Sequence, residues 1–392
     1  MILNPLVLLF ALAFVVSVDV RILAAVLPSI ASSLDSTAGT IGLAMTAYAL
    51  AYGSGQLIYG PISDRLGRIT VVRVAGLGFI ACTAVSACAA AAWQFVLTRL
   101  LAGAFAGAVL PLTLVFIGDT IEYGRRQVIL GRFSATTSAA LAISASIGGT
   151  VAYLVSWRAM LLGYAVLALF PVGCMWRLET PAKIPGSQSL SRFRDFLSDR
   201  RAQCVYAGVF LEGFLLWGTV TYLGAFGMMR HQLDQFQVGL LLALFGVGTM
   251  TGGLLMRPIH GYFSESRLAA AGGVLMGLAL LVLVPRWPVS VFAVSMLALG
   301  LGLVSLHTTL QVRGTEISQA ARGKAFSLFA FSLFGGMSAG TAVLGRLVDA
   351  GRYDLLFEIA AAGLIGIGLG TGAVAAPSRG TAAVRDPAAE RG

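Results

Sequence analysis

Apolar stretches of about 20 residues recur from one end of this sequence to the other, and they limit what the chain can fold into. A helix of that length crosses the apolar core of a bilayer and satisfies its own backbone hydrogen bonds, which lipid cannot do. Only 11% of the 392 residues are charged, too few to cover the surface of a soluble protein. The strands of alternating polarity that a transmembrane barrel requires are not seen in the sequence. The sequence therefore predicts an all-α integral membrane protein.

The apolar windows predict twelve membrane-spanning helices, joined by short loops except near the middle of the chain. There, residues 178–203 are polar and charged, and they divide the chain into two bundles of six helices, residues 1–177 and 204–376. We expect this loop to be either a solvated linker or a short amphipathic helix on the membrane surface, and the tail at 377–392 to be disordered. The predicted helices cover residues 5–30, 39–62, 70–89, 92–117, 129–153, 158–177, 204–228, 237–257, 268–285, 288–311, 325–345 and 355–376.

Lysine and arginine residues are distributed unequally between the two faces of the predicted membrane protein. With both termini in the cytoplasm, most of the 27 basic residues fall in cytoplasmic loops, as the positive-inside rule requires. We therefore expect a multi-pass protein of the cytoplasmic (inner) membrane with both termini in the cytoplasm. We also expect it to act as a monomer. The net charge of +10 is spread over these loops, which favours contact with anionic lipid headgroups over nucleic acid. The four cysteines lack the spacing of a metal or redox site, and we interpret them as packing residues.

Two similar segments lie about half the chain apart, at the ends of the second and the eighth predicted helix. The first reads GQLIYGPISDRLGR from Gly55, and the second reads GGLLMRPIHGYFSESR from Gly252, so that Pro61 corresponds to Pro258. A repeat of this kind predicts two related halves with a substrate site between them, near the middle of the membrane.

The first of these segments ends in a loop, GPISDRLGR, whose residues suit a conformational gate. Gly60 permits close contact between helices, and Gly67 permits a tight turn. Arg65 and Arg68 lie at the membrane surface, where they can pair with Asp119 at the end of the fourth helix. Ion pairs of this kind hold one conformation and break in another. The predicted gate comprises Gly60, Asp64, Arg65, Gly67, Arg68 and Asp119.

With this loop, the chain resembles the major facilitator superfamily, whose pattern G-x-x-x-D-R-x-G-R it matches from Gly60 to Arg68. Three further segments agree: LTRLLAGAFAGA, which contains Arg99, in the fourth helix; SWR at the start of the sixth; and VDVRILAAVLP in the first, which is similar to twelve-span drug and metabolite exporters. The resemblance covers about residues 5–376. It implies twelve helices in two pseudo-symmetric bundles, which open alternately to the two sides of the membrane and use the proton gradient without a cofactor.

The fifth helix departs from the exporter pattern. Exporters of this group often carry G-x-x-x-G-P-x-x-G-G there, whereas this chain has ALAISASIGG and keeps only Gly148 and Gly149. Import or facilitated diffusion of a metabolite by the same fold therefore stays open beside proton-coupled export. A membrane enzyme or sensor is the alternative from another class, but the sequence shows no nucleophile–base pair, metal cluster or phosphate-binding loop.

Four charged residues interrupt the predicted helices: Asp19, Arg21, Arg99 and Glu212. A charge in the membrane interior normally faces a cavity or a partner. Asp19 is a candidate proton site, or else part of a fixed ion pair, for which Arg99 is a possible partner. Glu212 stands alone in its helix and is either a proton or substrate site, because an isolated carboxyl group readily binds a proton, or a hydrogen-bonded structural acid. Arg21, if it faces the cavity, favours an anionic or zwitterionic substrate.

Aromatic and polar side chains at helical spacing predict the lining of the cavity. Rings suit planar or amphipathic ligands, although ordinary helix packing is the alternative for each of them. The predicted lining residues are Tyr48, Tyr52, Gln56, Trp217, Tyr222, His307 and Gln311. We therefore expect a secondary transporter, without enzyme activity, metal or cofactor, that exports a small organic compound or drug in exchange for protons.

Overall fold

The computed structural model describes residues 4–178, 199–259, 262–317 and 322–373, which form helices and short connections without any strand. The predicted all-α architecture is thus confirmed for the described residues, whereas most of the middle loop and the whole C-terminal tail lie outside them. The helices are α1 (Pro5–Ile22), α2 (Leu27–Ser33), α3 (Ala38–Leu66), α4 (Arg68–Ala87), α5 (Ala92–Ala106), α6 (Val109–Thr120), α7 (Tyr123–Leu154), α8 (Trp157–Met175), α9 (Arg200–Glu212), α10 (Gly218–Val220), α11 (Leu223–His231), α12 (Gln235–Ile259), α13 (Glu265–Leu281), α14 (Val289–Glu316), α15 (Arg322–Asp349) and α16 (Tyr353–Ala373).

Ten helical segments in the described part of the chain are long and apolar enough to cross a membrane. They coincide with ten of the predicted spans, with ends that differ by a few residues. The other two predicted spans correspond to α3 and α13. Helix α13 has only 17 residues, and α3 is diluted by glycine, tyrosine and polar residues. The predicted count of twelve spans is therefore not fully confirmed.

The first predicted helix is interrupted, although the apolar pattern over residues 5–30 predicts it as continuous. Helix α1 ends, a single 3-10 turn follows, and α2 begins with Pro28 in its first turn. Proline has no backbone N–H, so Pro28 cannot donate to the carbonyl group of Ala24, as a continuous helix would require. That carbonyl group lies instead against Gly224 of the second half, where a side chain would collide with it. The break therefore lies where the two halves meet.

The seventh predicted helix is also irregular, because a π-helical turn from Gly213 to Trp217 follows Glu212. Gly213 and Gly218 lie against backbone atoms of α15, close to Leu333 and Gly340. The absence of a side chain permits this close approach of the two helices. Single π-helical turns within α-helices are frequent at functional sites, and this one begins directly after a buried carboxylate.

The two halves, α1–α8 and α9–α16, meet along two pairs of helices. Helix α3 packs against α15 through residues 37–53 and 331–349, and α7 packs against α12 through residues 142–153 and 235–246. Both pairs of contacting segments lie at the same end of the bundle, the end opposite the loop between α3 and α4. We call it the closed end.

A carboxylate joins the halves at the closed end. Asp349, the last residue of α15, lies at the N-terminus of α3 in the other half. Its carboxylate accepts a hydrogen bond from the Thr37 hydroxyl over 2.8 Å and one from the backbone N–H of Gly39 over 2.7 Å. The N-terminus of a helix favours a negative charge, because its first N–H groups are unpaired and its dipole is positive there.

The other end of the bundle, where α3 runs into the Gly60–Arg68 loop, is spread open. The contacts between halves described above all lie at the closed end. A Cβ atom added to Gly60 would meet nothing within 4 Å, and the same holds for Gly131 of α7. The prediction that Gly60 makes a close contact with another helix is therefore wrong. If the open end faces the cytoplasm, as the distribution of basic residues predicts, the protein is in an inward-facing conformation.

Candidate functional site

A buried ion pair connects α1 to α5 in the first half. The two terminal nitrogens of Arg99, Nη1 and Nη2, donate to the two carboxylate oxygens of Asp19 over 3.1 and 2.8 Å. The side chains of Arg99 and Asp19 are 1% and 0% exposed, and the guanidinium carbon lies 4.5 Å from the ring centroid of Tyr48. The pairing suggested by the sequence is thus present in bidentate form, the most specific geometry between a guanidinium and a carboxylate.

A second buried pair lies in the second half, between the end of α9 and α14. The Nδ1 atom of His307 is 3.0 Å from both carboxylate oxygens of Glu212. Glu212 is fully buried, whereas the His307 side chain is 25% exposed. The Glu212 carboxyl group, which stands alone in its own helix, thus has a partner from another helix, as the alternative of a hydrogen-bonded acid allowed. Neither sequence segment indicates that α9 and α14 are neighbours, so the pair could not be predicted.

The side chain of Arg21, the last of the four predicted charged residues, extends from the first half to the second. Its guanidinium carbon lies 3.0 Å from the ring centroid of Trp217, which follows Glu212 in the π-helical turn. The edge of Phe245 packs against the same indole, with ring centroids 5.5 Å apart. Arg21 is partly exposed and, within the described ranges, no acidic side chain pairs with it. Among the described residues, the group that faces its charge is the ring of Trp217, which attracts a cation.

A small cavity of about 30 Å³ lies beside the Arg21–Trp217 contact, between the two halves. Sequence reasoning missed most of its wall, because those residues are ordinary apolar or small side chains. Ser144 could have been singled out, because it lies in the stretch of the fifth predicted helix that departs from the exporter pattern. The lining residues include Arg21, Trp217, Met45, Ser144, Thr221 and Phe245.

Of the seven predicted lining residues, Trp217 lies on the wall of this cavity and the others lie elsewhere. Tyr48 and Tyr52 are buried in α3, where their rings are stacked with centroids 6.1 Å apart. Tyr222 is a structural residue, because its hydroxyl donates to the backbone carbonyl of Thr341 over 2.8 Å and its ring is buried. The remaining predicted lining residues, all partly exposed, are Gln56, His307 and Gln311.

The loop between α3 and α4 forms an ionic cluster within the first half. Arg68 pairs with Asp64, and its Nε atom donates to Asp119 at the end of α6 over 3.2 Å. Gly67 between the helices has a φ of +90°, a conformation that favours glycine. The predicted contact to Asp119 is thus made by Arg68, whereas Arg65 is exposed. The cluster is intact although the halves are apart at this end, so the ion pairs themselves do not hold the open end shut.

We expect the variant Asp64→Asn to transport more slowly than the wild-type protein while reaching the same expression level. The Asp64 side chain is 43% exposed, and ion pairs of this kind contribute about 0–1 kcal/mol to stability. The loss should therefore appear in the rate of conformational exchange, measured as the initial rate of substrate-driven proton flux in proteoliposomes. Asp35→Asn, an exposed carboxylate near the closed end, is the matched control. Equal rates for both variants and the wild type would argue against a gating role.

The part of the chain that the structure describes contains no group of three histidine, cysteine or acidic side chains that could hold a metal ion. All four cysteines are free. Cys82 and Cys174 are partly buried, in agreement with the predicted packing role, but Cys88 and Cys204 are exposed, so the prediction is wrong for these two. The titratable groups of the region are therefore arranged as pairs rather than as a metal cluster.

The chain is similar in sequence to proteins named as transporters and to a protein named for chloramphenicol resistance. An uncharacterized MFS-type transporter of Bacillus subtilis (strain 168), YceJ, is 25% identical over 364 residues, which cover 89% of this chain and 90% of that protein. A chloramphenicol resistance protein of Pseudomonas aeruginosa is 29% identical over 272 residues, covering 66% of this chain and 63% of that protein. A probable sugar efflux transporter of Helicobacter pylori (strain G27) is 24% identical over 337 residues, covering 86% of each chain.

Solved structures of transporters share this fold. The nucleoside transporter NupG superposes with a TM-score of 0.79 at 13% identity, covering 94% of this chain and 99% of that one. The D-xylose-proton symporter has a TM-score of 0.75 at 15% identity, with coverages of 93% and 96%. The model of the Major Facilitator Superfamily matches residues 9–341, and this match agrees with the two halves and the charged loop described above. The chain belongs to the Major Facilitator Superfamily, whose members are transporters and not enzymes.

Proposed function

We propose that this multi-pass membrane transporter exports small organic compounds from the cytoplasm in exchange for protons. The observation that carries the proposal is the Glu212–His307 pair, in which a fully buried carboxylate is joined to a partly exposed imidazole. One relative is named for chloramphenicol resistance and another for sugar efflux, which supports the outward direction. We further propose that both termini lie in the cytoplasm, that the membrane is the inner membrane, and that the monomer is the working unit.

The pair is suited to carry one proton. With Glu212 ionised, Nδ1 of His307 donates to its carboxylate, which leaves Nε2 as the position that a proton can occupy or leave. With that proton, the imidazolium and the carboxylate neutralise each other. Without it, a net negative charge remains buried, and burial of an unpaired charge is unfavourable. A compound that places a positive charge near Glu212 takes over the role of the proton.

Because the proton and the compound compete for the Glu212–His307 pair, the movement of one across the membrane is coupled to the movement of the other. In the inward-facing conformation, a compound from the cytoplasm binds and displaces the proton. The halves then separate at the closed end, and the compound leaves to the other side. Protonation of the pair from that side restores neutrality, so the empty protein returns with a proton. The buried Asp19–Arg99 pair, with no exposed surface on Asp19, stabilises the first half throughout this cycle and is not the carrier.

The test uses purified protein in liposomes with an imposed pH gradient and a pH-sensitive dye inside. Lipophilic cations, zwitterions and anions are added in turn to the wild type, Glu212→Gln and His307→Gln, with Asp35→Asn as the control. We expect compound-driven proton movement opposite to the compound in the wild type and the control, and none in the two variants of the pair. Movement of both in the same direction would indicate import by co-transport, and transport without proton movement would indicate a uniporter; either result would overturn the proposal.

A further inference from the structure

We infer that the cavity beside the Arg21–Trp217 contact binds a zwitterion. This ligand is a small aromatic compound whose anionic group contacts Arg21 and whose amino group points towards the Glu212–His307 pair. The inference rests on the proposed function and names the substrate class of that site. It follows from the distribution of charge and of hydrogen-bond donors around the cavity between the two halves.

The first step is the charge balance. Arg99 is matched by Asp19, and Glu212 is matched by His307 when the imidazole is protonated. Arg21 is the remaining charge of this region, and no acid of the described ranges pairs with it. An unmatched charge inside a membrane protein is unfavourable unless it faces water or a ligand. The site therefore has one positive group available for an anion.

The second step concerns the hydrogen bonds. The hydroxyl groups on the cavity wall are already used within their own helices: Ser144 donates to the carbonyl of Leu141 over 3.0 Å, and Thr221 donates to the carbonyl of Trp217 over 2.9 Å. By contrast, the indole Nε1 of Trp217 is buried without an acceptor. Arg21 and Trp217 thus present donors with no matching acceptor. A carboxylate supplies acceptors, and the planar guanidinium binds it in bidentate fashion.

The third step concerns the other end of the ligand. A single π-helical turn, Gly213–Trp217, separates Glu212 from the indole on which the guanidinium of Arg21 lies, so the Glu212–His307 pair lies next to the cavity. A purely anionic ligand would offset the charge of Arg21 and thereby favour protonation of His307, which gives co-transport. A ligand that also carries an amino group beside Glu212 replaces the proton instead. Export in exchange for protons therefore requires both charges on the same molecule.

The geometry also explains why the cavity is small in this conformation. A cavity of about 30 Å³ holds a few water molecules at most, so an aromatic ligand requires the wall to move. The Arg21–Trp217 contact joins the two halves, and a carboxylate that binds Arg21 competes with the indole for the guanidinium. Ligand entry from the open end is thus linked to release of a contact between the halves. The rings of Trp217 and Phe245 provide the apolar surface for the aromatic part of the ligand.

The test compares three probes of nearly equal size: 4-(aminomethyl)benzoate, which is a zwitterion, its methyl ester, a cation, and 4-methylbenzoate, an anion. Binding to the detergent-solubilised protein is measured by calorimetry, and proton release by a dye in weakly buffered solution. We expect the zwitterion to bind the wild type more tightly than the other two and to release protons. Arg21→Gln should weaken binding of the zwitterion roughly 30-fold or more and should not weaken binding of the methyl ester, because it removes the charge-assisted contact to the carboxylate.

Arg21→Lys, which keeps the charge but loses the bidentate geometry, should lie between the wild type and Arg21→Gln, and it covers the case in which the glutamine variant does not fold. Arg286→Gln, an exposed arginine, is the matched control. Binding of the zwitterion that is insensitive to both Arg21 variants, or absent from the wild type, would overturn the inference. If the methyl ester alone binds and releases protons, the exchange mechanism stands and the inference fails. If the zwitterion binds through Arg21 but releases no proton, the inference stands and the exchange mechanism fails.

Discussion

Replacing Asp19 with asparagine is expected to destabilise the protein by about 3–5 kcal/mol and to abolish transport, because the Arg99 guanidinium then remains buried without its carboxylate. Both side chains are within 1% of complete burial, and two hydrogen bonds of 3.1 and 2.8 Å join them. Removing one partner of such a pair leaves the other charge with no water to replace the lost contact. The loss of stability is measured as the fall in melting temperature of the purified protein in detergent.

Arg99→Gln should destabilise the protein by a similar amount, because the Asp19 carboxylate then remains buried without its guanidinium partner. The double variant Asp19→Asn/Arg99→Gln should recover much of the lost stability, because two neutral amides can hydrogen-bond to each other without an unpaired charge. Asp35→Asn, on an exposed carboxylate, controls for the loss of a negative charge as such. If the double variant were as unstable as the sum of the single variants, the pair would not be a coupled unit and the explanation would be wrong.

Replacing Gly246 with valine is expected to prevent closure of the closed end and to reduce transport by roughly 5- to 150-fold, corresponding to a penalty of about 1–3 kcal/mol on the inward-facing conformation. Gly246 of α12 lies directly against the backbone of Ala142 in α7, so the new side chain cannot be accommodated by a rotation of a neighbouring side chain. The two helices must move apart. Since they belong to different halves, the equilibrium shifts towards the conformation in which that end is open.

The measurement is cysteine cross-linking across the closed end, in a chain whose four native cysteines are replaced by serine. Tyr153 and Phe236 suit this purpose, because their rings are 6.5 Å apart on opposite halves and both side chains are exposed. With cysteines at both positions, the parent protein should cross-link quickly and the Gly246→Val protein slowly. Gly253→Val is the matched control on the same helix, since a Cβ atom there meets nothing within 4 Å. Equal cross-linking in all three would show that Gly246 does not limit closure.

Some site residues could be predicted because the sequence contains so few charges in its apolar stretches. A buried charge needs a partner, and in the first half the candidates are few, so Asp19 could be matched with Arg99. The pairing of Arg68 with Asp119 could be predicted in the same way, because both lie where apolar helices end at the same face. In each case a local property of the sequence, apolar length or an isolated charge, limits the possibilities.

The second half did not permit such reasoning. Glu212 and His307 lie in helices that are distant in sequence, and nothing in either segment indicates that these helices are neighbours. The contact of Arg21 with Trp217 depends on how one half is placed against the other, which the backbone contacts of glycines such as Gly224 and Gly246 determine. Periodicity along a helix does not contain that information.

The length and spacing of the apolar segments are enough to identify a helical membrane protein, and the charged loop at Gly60–Arg68 is enough to suggest its family, because both are properties of contiguous residues. Which charges neutralise one another, and which one stays unpaired beside the cavity, depends on contacts between helices far apart in the chain. Tyr222 illustrates the difference. Its aromatic ring favours a place on the cavity wall when judged from the sequence, yet in the folded protein its hydroxyl donates to the backbone of α15 and its ring is buried.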